Sequence, residues 1–313
     1  MVAGQRRLTE KILFEYYMIS SFRENEVHCP YPFYIDEELF HNMVDSAMVL
    51  NRLVCKIIRE FIKKPDQPLF AMGDFPLMNE ILSLDCPLPP FFWVRYDAFV
   101  REEGGIFFSE FNYDKTCSQR EIAISDMMKP YRNPNLNFKT AFYDNFKHSV
   151  DGKKNPVVAI LVSPVHDEEV HLAHYYMDLL KDLNCNFVIA GTDNIYVKDE
   201  FVYAFDQKID IILRQFPTEF LYEIEDIEKI LLLYETGKIN VLNDPRTIIG
   251  QTKSLFAYLW DMVNKNSPFL TQIEEQVIRS TIPFTYLFEE ADISQLISKR
   301  EELVIKAVYG RYS

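Results

Sequence analysis

Four polar side chains sit where two strand-like runs could gather them. Phe91 to Val100 and Ile106 to Tyr113 are rich in aromatic and β-branched residues, and Arg101-Glu102-Glu103-Gly104-Gly105 separates them, so the stretch reads as a β-hairpin. With Glu103-Gly104 as a two-residue loop, Asp97 faces Glu110 and Arg95 faces Asn112. Side chains alternate along a strand, so all four then share one face. Two opposed carboxylates repel each other, and a cation between them relieves this. A Mg²⁺ held by Asp97, Glu110 and the amide oxygen of Asn112 suits that donor set, with positions left over for substrate phosphates. Arg95 beside it is shaped for bidentate contact with a phosphoryl group. The alternative is a plain polar face on an exposed two-stranded ribbon.

The elements around the hairpin differ in period. Residues 1–65 read as helical, from the stripe Leu8, Ile12, Leu13, Tyr16 and Tyr17 and a second one running from Leu39 to Ile58, with Asp36 as N-cap and Lys63-Lys64-Pro65 as breaker. Between residues 155 and 250, short apolar runs alternate with amphipathic stretches: Val157–Val162, a helix over about 168–183, Phe187–Ala190, a hairpin near 196–205, Ile209–Leu213, a helix near 221–235 and Ile239–Leu242. That alternation predicts a mostly parallel, Rossmann-like α/β unit. A helix over about 249–263 and a strand Leu303–Lys306 follow. The expected organisation is a helical region 1–65, a hairpin part 66–150, the α/β unit 151–248 and a further part 249–313.

Composition removes several functions. The 313 residues carry 33 Lys and Arg against 47 Asp and Glu, a net charge of −14, which argues against nucleic acid or an anionic membrane as partner. Only 9 residues are glycine, and neither G-x-G-x-x-G nor G-x-x-x-x-G-K-[ST] occurs, so the two common phosphate loops are absent. The five scattered cysteines read as reduced thiols of a cytoplasmic protein, with no secretory leader and no run of about 18 apolar residues. His166, His171 and His174 look like a metal cluster, but Asp167, Glu168 and Glu169 are what a helix start favours, and no fourth ligand is evident. Cys117 reads as a substrate-pocket or buried thiol rather than a nucleophile. Glu223 to Glu228 reads as a solvated helix face.

The runs W-V-R-Y-D-A-F (93–99) and S-E-F-N-Y-D (109–114) resemble the R-x-D … E-x-N-x-D signature of glutathionylspermidine synthase-like proteins, circularly permuted ATP-grasp carboxylate–amine ligases. Further stretches agree in order: Asp210–Pro217, Asn240–Arg246 with Gln251-Thr252-Lys253, and Leu303–Lys306 leading to Gly310-Arg311. The resemblance spans roughly 93–313. It implies a mixed α/β, ATP-grasp-like fold with a Rossmann-like pre-ATP-grasp unit and a helical N-terminal region. It also implies Mg²⁺ on Asp97, Glu110 and Asn112, Arg95 stabilising an acyl phosphate, and Lys253 and Lys306 on ATP phosphates.

By the same resemblance the reaction joins a small-molecule or peptide carboxylate to an amine with ATP as co-substrate, and a homo-oligomer is compatible with it. The chain departs from the pattern at Tyr113–Ser118, where small residues and Pro are usual, at Thr218-Glu219 in place of Trp-Glu, and at Ala307 in place of Pro. The family's Gly-rich loop, adenine strand and second arginine are expected beyond Ser313. The second reading is therefore a non-catalytic homologue that binds a ligand or another subunit.

Overall fold

A computed structural model describes residues 34–65, 68–89, 93–117, 135–163 and 167–310, with Phe14, Ile122 and Asp126 as isolated positions. The expected N-terminal stripe Leu8, Ile12, Leu13, Tyr16 and Tyr17 lies outside the described residues, as does His166. In chain order the elements begin with helices α1 (Glu37–Ile62) and α2 (Met78–Leu82), then strands β1 (Arg95–Val100) and β2 (Ile106–Asn112). Helix α3 (Asn135–Val150), β3 (Val157–Leu161), α4 (Asp167–Leu179) and β4 (Asn186–Ala190) follow. Next come β5 (Ile195–Lys198), β6 (Phe201–Ala204), β7 (Gln207–Lys208), β8 (Ile211–Arg214), α5 (Ile227–Glu235) and β9 (Asn240–Leu242). Helices α6 (Ser254–Asn264), α7 (Gln272–Thr281) and α8 (Ile293–Ser298) close the series.

These residues form two units. One takes in Leu84–Trp93 and Lys115–Asp244, the other Ile35–Ser83, Val94–Asp114 and Pro245–Ser313. The first is built on a four-stranded sheet in the order β4-β3-β8-β9, parallel at every pairing. Its central strand is covered on both faces, which explains why Val158, Ala159, Ile160 and Leu161 are all buried and show no alternation. Asp210 pins the strand start, its carboxylate accepting from the Val157 N–H at 2.9 Å. The hairpin expected near 196–205 is present as β5 and β6, with β7 added as a third strand.

In the second unit, Asp36 caps α1 as expected, its Oδ1 accepting from the Leu39 N–H at 3.0 Å. Leu50, Leu53, Val54, Ile57, Ile58 and Phe61 form the buried stripe of that helix. It packs against α7 and against a 3₁₀ stretch, Pro245–Gln251.

Three expectations need correction. The helix expected over about 249–263 begins as that 3₁₀ stretch and becomes α-helical only at Ser254. The one near 221–235 is interrupted, with a 3₁₀ turn at Thr218–Glu223 ahead of α5. Leu303–Lys306 is no strand: residues 303–307 run without regular structure, and Val304 and Ile305 are 78% and 75% exposed. An apolar run becomes a strand only where a neighbour satisfies its backbone, and this one pairs with no strand among the described residues.

Candidate functional site

The hairpin reaches the expected pairing by a different route. The tip is a three-residue loop, Glu102-Glu103-Gly104, closed by the Arg101 N–H on the Gly105 carbonyl and the Gly104 N–H on the Arg101 carbonyl, both at 3.1 Å. Gly104 and Gly105 take φ of 91° and 81°, where a side chain would be strained. That loop alone would shift every pair by one residue. A β-bulge between Asp97 and Ala98 leaves Ser109 as the extra residue and restores Asp97↔Glu110, Tyr96↔Phe111 and Arg95↔Asn112. The bulge also turns Phe108 and Phe111 to the same side, where their rings meet Tyr96 at 5.6 and 4.5 Å between centroids. One face of the ribbon is thereby aromatic and anchored, and the other carries Arg95, Asp97, Glu110 and Asn112.

On that polar face, Arg95 forks onto Asp97, Nε to Oδ1 at 2.6 Å and Nη2 to Oδ2 at 3.0 Å. Lys253 reaches it from the start of α6, its Nζ 3.1 Å from Glu110 Oε1 and donating also to the Gly310 carbonyl. The backbone holds this lysine in place: its N–H donates to the Val308 carbonyl at 3.1 Å, and the neighbouring Gln251 accepts from the Asp114 N–H at 2.8 Å. Asn112 is 5% exposed, and its Nδ2 has no hydrogen-bond partner among the described residues. Five of the six expected site residues therefore share one surface: Arg95, Asp97, Glu110, Asn112 and Lys253. Lys306 stands apart in the irregular segment 303–307, exposed to solvent.

The donor set fits Mg²⁺. Two carboxylates and an amide, whose carbonyl end can be turned toward a cation, supply hard oxygen ligands and leave positions for phosphate. An unsatisfied amide buried beside them is the kind of group that a bound ligand completes. Among the described residues no group of three or more His, Cys, Asp or Glu could hold a metal by itself. His171 is buried on α4, and burial lowers the His174 pKa below its ordinary value.

Sequence reasoning missed a buried ion pair in the other unit. Glu169, in the first turn of α4, is 1% exposed and accepts from Lys115 Nζ and from the Ser163 N–H. Its position at a helix start invited a macrodipole explanation, and no local pattern links it to Lys115. Gln215 lies buried after β8, where its Nε2 donates to Tyr176 Oη at 2.6 Å while Oε1 has no partner among the described residues. In the stretch Asn240–Arg246, the Arg214 guanidinium holds the Asn243 carbonyl from Nε at 3.3 Å and Nη2 at 3.2 Å, and Asn243 bonds Trp93 through both ends of its amide.

No family model matches the chain. No curated protein matches it either. Among solved structures, it is similar to a glutathione synthetase-like effector from Globodera pallida in its apo form, with a TM-score of 0.51 at 12% identity. The match covers 88% of this chain and 70% of that one. Among the described residues no helix is long and apolar enough to cross a membrane. At this identity the likeness speaks for the fold alone, a mixed α/β fold similar to that of the glutathione synthetase-like effector.

Proposed function

We propose that the chain is an ATP-dependent carboxylate–amine ligase of glutathionylspermidine synthase type. The observation that supports this best is the gathering of Arg95, Asp97, Glu110 and Asn112 on one hairpin face with Lys253 3.1 Å from Glu110. Phosphoryl transfer asks a protein for position and charge neutralisation, and this surface has both signs of charge at hydrogen-bond spacing.

Asp97, Glu110 and Asn112 would hold Mg²⁺, which supplies charge neutralisation at the phosphates. Lys253 would bind phosphate oxygens in exchange for its contact with Glu110. Arg95 would pair with the γ-phosphoryl group as it passes from ATP to the substrate carboxylate; ADP leaves, and the amine then attacks the acyl carbon and displaces phosphate to give the amide. Lys306 serves as a second phosphate contact, reached by movement of the exposed segment 303–307. The carboxylate and the amine are small molecules or peptides, and the protein's −14 charge favours approach of a cationic amine.

The test is calorimetric titration of Mg·ATP into this chain and into Glu110→Gln, followed by ADP release in the presence of carboxylate and amine mixtures. Binding that Glu110→Gln weakens, with amine-dependent ADP release, is the expected result. Binding unaffected by the substitution would remove the hairpin from the site. Binding without any turnover would instead favour the non-catalytic, ligand-binding reading.

A further inference from the structure

Behind the polar face of the hairpin lies a hydroxyl cluster that the ligase reading does not use. Tyr96 stands between Arg95 and Asp97, and Tyr113 follows Asn112. Their rings are on the aromatic side of the ribbon, 6.0 Å apart, and their hydroxyls bond each other. Both hydroxyls converge on one atom of α1: Tyr113 donates to Asn51 Oδ1 at 2.6 Å while accepting from Tyr96, whose oxygen lies 3.5 Å from that same atom, with the Cys55 thiol at 3.8 Å. Burial pushes both tyrosine hydroxyls above their ordinary pKa and the Cys55 thiol up to about 11, so all three groups stay protonated around the Asn51 oxygen.

The other side of Tyr113 touches the segment that carries Lys253. A Cβ built on Gly250 would come within 2.8 and 2.9 Å of its ring, so ring and backbone are in direct contact there. One residue on, Gln251 holds the Asp114 N–H at 2.8 Å, and Lys253 then meets Glu110. A continuous set of contacts thus runs from Asn51 through Tyr96 and Tyr113 to the Glu110–Lys253 pair.

We infer that Asn51, Tyr96 and Tyr113 are positioning residues, a clasp from α1 that sets where the acidic hairpin face meets Lys253. The inference rests on the reading of that face as a phosphate and metal site, but the clasp itself is a property of the chain alone. Its geometry has one demanding element, the single acceptor oxygen of Asn51. Asn51→Leu removes the oxygen while keeping the branched side-chain shape, Asn51→Asp keeps the oxygen, and Tyr96→Phe withdraws one donor with the least disturbance of packing.

The experiment follows amide hydrogen exchange in the full chain together with Mg·ATP affinity. In Asn51→Leu the Asp114 amide should exchange about tenfold faster, as expected when a buried hydrogen-bond acceptor is lost, while the α6 amides of the same unit keep their rates. Mg·ATP affinity should fall about tenfold, and Asn51→Asp should stay within about threefold of the parent on both readouts. Tyr96→Phe should lie between them, and it decides the matter if Asn51→Leu does not fold. An unchanged Asp114 rate, equal acceleration throughout the unit, or failure of Asn51→Asp to rescue would overturn the clasp. If the parent chain binds no Mg·ATP, the ligase reading falls, and the exchange pattern still decides the clasp.

Discussion

Lys253 Nζ lies 3.1 Å from Glu110 Oε1, joining the start of α6 to β2 across 143 residues of sequence. Both side chains are mostly shielded, at 14% and 22% exposure, and the lysine has a second acceptor in the Gly310 carbonyl. Under the proposed function the lysine would exchange Glu110 for a phosphate, and the pair would be the resting state of the site.

Lys253→Met should lower affinity by more than its stability cost. The pair is mostly shielded, so Glu110 without its cation should cost about 1–3 kcal/mol. Mg·ATP affinity should drop about tenfold or more with loss of a charge-assisted phosphate contact. Calorimetry beside a thermal melt checks this, and a large stability loss with affinity kept would reverse the assignment.

Gly250→Ala should destabilise the protein by about 1–3 kcal/mol through overpacking, because the new methyl meets the Tyr113 ring at 2.8 Å and Ile58 Cδ1 at 3.0 Å. The glycine is there for space rather than for backbone conformation. Denaturant unfolding of the variant measures the cost, and Gly250→Ala with Tyr113→Leu should recover part of it.

The buried Glu169 should punish loss of its partner. Lys115→Met leaves the carboxylate, among the described residues, with the Ser163 N–H alone and is expected to cost about 3–5 kcal/mol. Lys115→Met with Glu169→Gln removes the uncompensated charge and should restore much of that stability. Equal losses in the single and double variants would mean that the pair contributes packing and no charge balance.

Alkaline pH should weaken the fold through Tyr96 and Tyr113. Burial raises both hydroxyls above the ordinary value of 10.0, so above that pH the unfolded chain releases protons that the folded one keeps. Stability is then intact below pH 10.0 and declines as pH rises past it, by about 1.4 kcal/mol per pH unit for each tyrosine. Urea unfolding from pH 9 upward reads the slope, and Tyr96→Phe should remove about half of it.

Local pattern revealed the hairpin and its polar face. Strand side chains alternate with period two, so Arg95 and Asp97, Glu110 and Asn112 had to share sides once the register was set. The register matches the expected one through a different local geometry. A two-residue loop at Glu103-Gly104 and the actual three-residue loop with a bulge at Ser109 give the same Asp97↔Glu110 pair, because the two irregularities cancel. Nothing in the residue types alone distinguishes these. The parallel sheet was readable for a similar reason, since strands covered on both faces become continuous apolar runs such as Val157–Val162. Leu303–Lys306 has the same composition and is no strand, because a run of apolar residues does not carry its own neighbour.

The sequence by itself determined which polar residues gather on the hairpin face, through the short-range alternation of side chains along a strand. The tertiary structure decided which groups meet from afar. Lys253 finds Glu110 over 143 residues, Asn51 finds Tyr113 over 62, and Lys115 finds Glu169 over 54. Each of these contacts is fixed by how helices and strands pack, a global free-energy minimum in which burial, not local propensity, selects the partner.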